Sequence, residues 1–121
     1  AEGVKLLGVA VMKAEVFLAR DIELMLTGLG GDRGNWRLEH RFHGGGYARM
    51  STEIMSCLLA FEAEHNILLD PVYTAKMLFA VNEMLANNEF VAGSRLLLVH
   101  TGGVQGRRGF TELIRPSGPA Q

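Results

Sequence analysis

The chain has 121 residues, 48% hydrophobic and 21% charged, a mix that fits one folded domain or part of one and excludes a disordered chain. Twelve Lys and Arg against thirteen Asp and Glu give a net charge of −1, so no general electrostatic drive acts toward nucleic acid or an anionic membrane surface. A single cysteine, Cys57, excludes an intrachain disulfide framework and suits a reducing compartment, and no apolar run approaches the ~18 residues of a membrane span.

Residues 6–11 (Leu-Leu-Gly-Val-Ala-Val) are short and apolar on both faces, the pattern of a central parallel strand. The apolar run is too short for a signal peptide and Lys13 ends it, which makes the cytoplasm the expected location. The period then changes. Ala14, Leu18, Ile22, Met25 and Leu29 fall on one helical face, and Gly28 with Gly30-Gly31 stops the helix. Residues 31–50 are polar and Gly-rich around Gly44-Gly45-Gly46, predicting a loop with one short strand over 36–42. Glycine is 15 of 121 residues against a usual ~7%, which points to tight turns of the kind found around ligands.

Ser51 is a predicted N-cap, followed by an apolar helical face of Ile54, Met55, Leu58, Leu59 and Phe61 up to Glu64. Asp70-Pro71 predicts the next helix start, with Asp as cap and Pro at the first helical position, and Asn87-Asn88 its end. Residues 95–100 predict a second buried strand, running directly into Thr101-Gly102-Gly103. Residues 106–121 are polar with Gly and Pro, predicting a short edge element and a loose tail. The order is that of an α/β protein, but two strands cannot form a well-covered parallel sheet. Either the chain assembles with partners or it is part of a larger enzyme.

Two blocks carry the functional information. They are Leu69-Asp70-Pro71-Val72-Tyr73-Thr74-Ala75-Lys76 and Leu97-Leu98-Val99-His100-Thr101-Gly102-Gly103. In this order they resemble the C-terminal region of the pyridoxal-phosphate enzymes related to tryptophan synthase β, in the subgroup of 1-aminocyclopropane-1-carboxylate deaminase and D-cysteine desulfhydrase. The resemblance covers most of residues 4–110 and implies that 1–121 is the C-terminal portion of such a fold type II domain. Its fold would be an incomplete, Rossmann-like parallel sheet with flanking helices. In that family a Gly-Asn-Lys segment carries the Schiff-base lysine, and a Gly-rich loop cradles the phosphate. Neither occurs here, where Lys5, Lys13 and Lys76 are the only lysines.

The resemblance implies roles residue by residue. Tyr73 matches a tyrosine that faces the cofactor and serves acid/base work, although a phenol near pKa ~10 needs a nearby cation or the cofactor to act as a base. The alternative is a core tyrosine satisfied by backbone. Tyr47, after the glycine run, matches a second catalytic tyrosine more loosely, because Ala48-Arg49-Met50 departs from the family pattern; otherwise it is a loop aromatic packed on the sheet. Thr101 matches the hydroxyl that bonds the pyridine nitrogen, and Gly102 and Gly103 allow close backbone approach to the cofactor. A neutral hydroxyl moderates the electron sink and suits β-elimination. Thr74, which the resemblance counts among the cofactor-binding residues, stands where the aminocyclopropane deaminases have Glu, which places the chain nearer the desulfhydrase branch; a helix-start hydroxyl is the plain alternative.

Other residues carry less. His40 and His43 are read as solvated loop histidines rather than metal ligands, and no metal site is expected. His100 is read as a strand-end residue at the cofactor edge or a buried neutral imidazole, and Cys57 as core. The Arg107-Arg108 turn is read as surface rather than an RNA-binding segment.

The expected function is therefore that of a fragment of a pyridoxal-phosphate-dependent lyase or deaminase. It would act on a small amino acid, most like D-cysteine desulfhydrase, with aminocyclopropane carboxylate deaminase as an alternative. The expected partners are the missing N-terminal part of the same enzyme and a second copy in a homodimer, with no nucleic acid or membrane. A different class also stands: a non-catalytic, truncated α/β module for interaction or oligomerisation.

Overall fold

A computed structural model describes residues 3–13 and 15–110. Strand β1 (Leu6–Val9) and strand β2 (Trp36–Glu39) pair in parallel, with Leu6 opposite Trp36 and Val9 opposite Glu39. Parallel neighbours need a crossover, and helix α1 (Glu15–Gly28) supplies it. β2 is shorter than the predicted 36–42 because the Glu39 carboxylate turns back to accept the Arg41 backbone N–H at 3.0 Å. The Arg41 guanidinium then bridges Glu39 to Glu89 beyond the last helix.

Leu18 and Ile22 of α1 face the end of β1, as their spacing predicts. Met25 and Leu29 do not follow. They are exposed, together with Phe17 and Leu24, so α1 carries more apolar surface than the described residues cover. Ala14, the first residue of the predicted face, lies outside the described residues.

Helix α2 (Thr52–His65) starts as predicted, with the Ser51 hydroxyl accepting the Ile54 N–H at 3.1 Å. It ends where Asn66 turns left-handed, at φ 53°, and returns its N–H to Glu62 O. Helix α3 (Thr74–Ala86) packs on α2 and also touches β1. The core lies between α2 and α3, where Ile54 and Leu58 meet Leu69, Ala75 and Leu78.

Two expectations are corrected. Pro71 is not the first helical residue: 71–73 form a turn and the helix begins at Thr74. Asp70 still supplies the capping chemistry, from one turn further out. Residues 95–100 form no strand. Leu98 packs against the core while Leu97 and Val99 point outward, Leu97 being 89% exposed. The composition is that of a strand, but among the described residues no neighbour offers the hydrogen bonds of a ladder. A 3-10 stretch follows at Val104–Phe110, and the predicted tail falls outside the described residues beyond 110. No described helix is long and apolar enough to cross a membrane.

Candidate active site

Asp70 organises the first block. Its carboxylate is buried and accepts the backbone N–H groups of Val72, Tyr73 and Thr74 at 2.9, 2.6 and 2.9 Å. These are donors that the start of a helix leaves without intrahelical partners, and a carboxylate satisfies them while complementing the helix dipole. The Thr74 hydroxyl donates to the same carboxylate at 2.7 Å and accepts the Asp70 N–H at 2.9 Å. Thr74 is thus buried with its hydroxyl engaged inside the helix start, and is not presented to solvent beside Tyr73.

Tyr73, held by its N–H, projects outward and is 45% exposed. Tyr47 reaches it from the glycine loop. The two hydroxyls lie 3.1 Å apart and the rings meet edge to face, with centroids 6.3 Å apart. Gly44 makes the loop's path possible. Its φ is +69°, and a Cβ there would lie 2.8 Å from Ile54 Cδ1. Both tyrosines line a cavity of about 360 Å³ whose other wall is the end of β1 with Leu18 and Ile22 of α1. The cavity is therefore apolar with two phenols at its rim, the composition of a small-molecule site. The hydrogen bond shared with Tyr47, which favours the protonated phenol, holds Tyr73 above its ordinary pKa.

The second block is clamped beside the first. His100 Nδ1 accepts the Gly102 N–H at 3.0 Å, which leaves Nε2 to donate to Leu68 O at 2.8 Å. His100 is neither buried nor free: both ring nitrogens brace the turn. Gly103, at φ +83°, sits against Asp70, and a Cβ there would lie 3.3 Å from Asp70 Cγ. Arg107 pairs with Glu62 and donates to Leu69 O at 2.9 Å, which ties the 3-10 stretch to the same corner. Asp70, His100, Glu62 and Arg107 are residues that pattern reading does not single out as site supports. Thr101 is exposed at this turn, with Gly102 and Gly103 half-buried. The fold thus joins Tyr47 to Tyr73 and brings Gly103 to the capping residue of the Tyr73 helix.

No family model matches the chain. Curated relatives and a solved structure do. A 1-aminocyclopropane-1-carboxylate deaminase of Ralstonia pickettii is 31% identical over 78 residues, which cover 64% of this chain and 23% of that protein. A putative deaminase of the same name from Thermotoga maritima is 40% identical over 65 residues, 54% of this chain and 20% of that protein. The crystal structure of an ACC deaminase homologue superposes with a TM-score of 0.69 and 25% identity, over 89% of this chain and 34% of that one. Over part of its length the chain is thus similar to 1-aminocyclopropane-1-carboxylate deaminases. It spans less than a quarter of the length of these two curated relatives. Its α/β architecture, with a two-stranded parallel sheet and flanking helices, is shared with the solved neighbour.

Proposed function

We propose that the chain is the C-terminal portion of a pyridoxal-phosphate-dependent enzyme that deaminates a small amino acid, and that Tyr47 and Tyr73 are its proton-handling pair. The observation that carries this is the 3.1 Å contact between two exposed phenols at the rim of an apolar cavity. Two hydroxyls in contact pass a proton without a net charge: one donates to the reacting carbon or leaving group while the other donates to it.

The residues present fit one face of a pyridoxal-phosphate site. Thr101 would hold the pyridine nitrogen, and Gly102 and Gly103 would admit the ring to the backbone. When bound, the cofactor supplies the electron sink for bond breaking at the substrate α-carbon. The imine-forming lysine and phosphate cradle belong to the remainder of the protein. Lys76, the lysine of the Tyr73 helix, is buried with its amine on backbone carbonyls. Exposed apolar side chains on α1, with Leu97 and Val99, support covering by that remainder. The same reading makes the whole protein a cytoplasmic homodimer.

For the substrate, the neutral hydroxyl of Thr101 and the enclosed Thr74 favour β-elimination from a β-substituted amino acid such as D-cysteine, giving ammonia, sulfide and pyruvate. Ring opening of aminocyclopropane carboxylate is the second reading, favoured by the names of the relatives. The assay is side-by-side measurement, on the full-length protein, of sulfide from D-cysteine and 2-oxobutyrate from the cyclopropane substrate. Faster sulfide release supports elimination, and faster 2-oxobutyrate release moves the assignment to the deaminase. Ammonia from neither, nor from other small amino acids, removes the enzymatic reading and leaves a non-catalytic assembly module.

A further inference from the structure

Lys76 is fully buried, and among the described residues no carboxylate forms an ion pair with it. A buried ammonium without a counter-ion is costly, and burial lowers its pKa. An apolar side chain such as Met would fill the same space without that cost, so the position of the amine matters. Its Nζ donates to Gly46 O at 2.9 Å and to Val11 O at 3.3 Å. Gly46 immediately precedes Tyr47, and Val11 lines the cavity beside both tyrosines. Lys76 itself lies one helical turn after Tyr73. One amine therefore joins the three segments that form the rim: the end of β1, the glycine loop and the start of α3.

We infer that Lys76 is the positioning residue of the tyrosine pair, its amine fixing the Gly46 carbonyl so that the Tyr47 hydroxyl meets that of Tyr73. The glycine loop needs such a tether. Gly44, Gly45 and Gly46 all have positive φ, and their backbone has wide alternatives. The Gly46 carbonyl accepts the Arg49 N–H at 3.1 Å as well as Lys76, so it is held from both sides. The Lys76 stem also passes close to the loop: a Cβ at Gly44 would lie 3.4 Å from Lys76 Cε. The inference rests on the proposed role of the pair, but its test does not require catalysis.

Tyr47 and Tyr73 are the two tyrosines of the chain, so a ring-to-ring signal in tyrosine-labelled protein has one origin. Magnetic resonance on the 121-residue chain, without substrate or cofactor, reads that contact in wild type and in Lys76→Met. The expected result is a contact present in wild type and lost in a folded Lys76→Met, with Lys76→Arg restoring it at least in part. A folded Lys76→Met that keeps the contact overturns the inference. Should Lys76→Met not fold, Lys76→Gln takes its place with the same two outcomes. Loss of fold in both overturns the inference too, because the residue would then hold the whole domain rather than one tyrosine. An absent contact in wild type overturns it directly. None of these outcomes depends on whether the whole protein deaminates an amino acid.

Discussion

The hydroxyls of Tyr47 and Tyr73 lie 3.1 Å apart although 26 residues separate them in sequence. One comes from a glycine loop and the other from a helix start, so their meeting reports the docking of the loop on α3. Replacing either phenol by phenyl leaves the ring packing and removes the hydroxyl contact.

In the full-length protein, Tyr73→Phe is expected to lower turnover by about 10²–10⁴-fold, the usual contribution of a positioned acid or base, with cofactor absorbance unchanged. Steady-state rates and the cofactor spectrum, measured on the same preparation, check this. Turnover within roughly threefold of wild type takes Tyr73 out of the mechanism.

The 121-residue chain is expected to form no stable imine with pyridoxal phosphate. Lys76 is buried against main-chain carbonyls, and Lys5 and Lys13 are exposed on the surface. Borohydride reduction after incubation with the cofactor, followed by intact mass, gives the answer. One stoichiometric adduct at a single lysine is the contrary result.

Gly103→Ala is expected to destabilise the chain by about 1–3 kcal/mol, the scale for an L-residue forced into a left-handed conformation in a crowded setting. The crowding is specific, since the new methyl meets the Asp70 carboxyl that caps the Tyr73 helix. Gly109→Ala, where a methyl meets nothing within 4 Å, is the control. Denaturant midpoints that move equally in both variants contradict the assignment.

The acid limb of stability should report Glu39. Hydrogen bonds from the Arg41 side chain hold its carboxyl at about 2, below the ordinary 4.5. A depressed carboxylate contributes stability that is complete above the unfolded-state value and is lost as pH falls through the folded one. Wild type should therefore exceed Glu39→Gln near neutral pH, with the gap closing between about 4.5 and about 2. A gap independent of pH over that window would falsify the ion-pair account.

Local patterns in the sequence are enough to place most elements. The Ser51 cap, the apolar face of α2, the glycine stop of α1 and the short strand at Trp36 all rest on neighbours within one or two turns. The two motif blocks name the site for the same reason, since each is a contiguous stretch. What the sequence could not decide depends on distant partners. Residues 95–100 have the composition of a buried strand, but a strand exists only where another backbone accepts its hydrogen bonds, and none does among the described residues. Met25 and Leu29 keep the helical spacing of a core face yet stand exposed, because covering them requires surface that the described residues do not bring. Asp70 was legible as a cap, but its contact with Gly103 spans 33 residues of chain and follows only from packing. Lys76 is the clearest case. In sequence it is one charged residue in a helix; in the fold its amine lies between two carbonyls 30 and 65 residues away, because burial leaves it no water to choose instead.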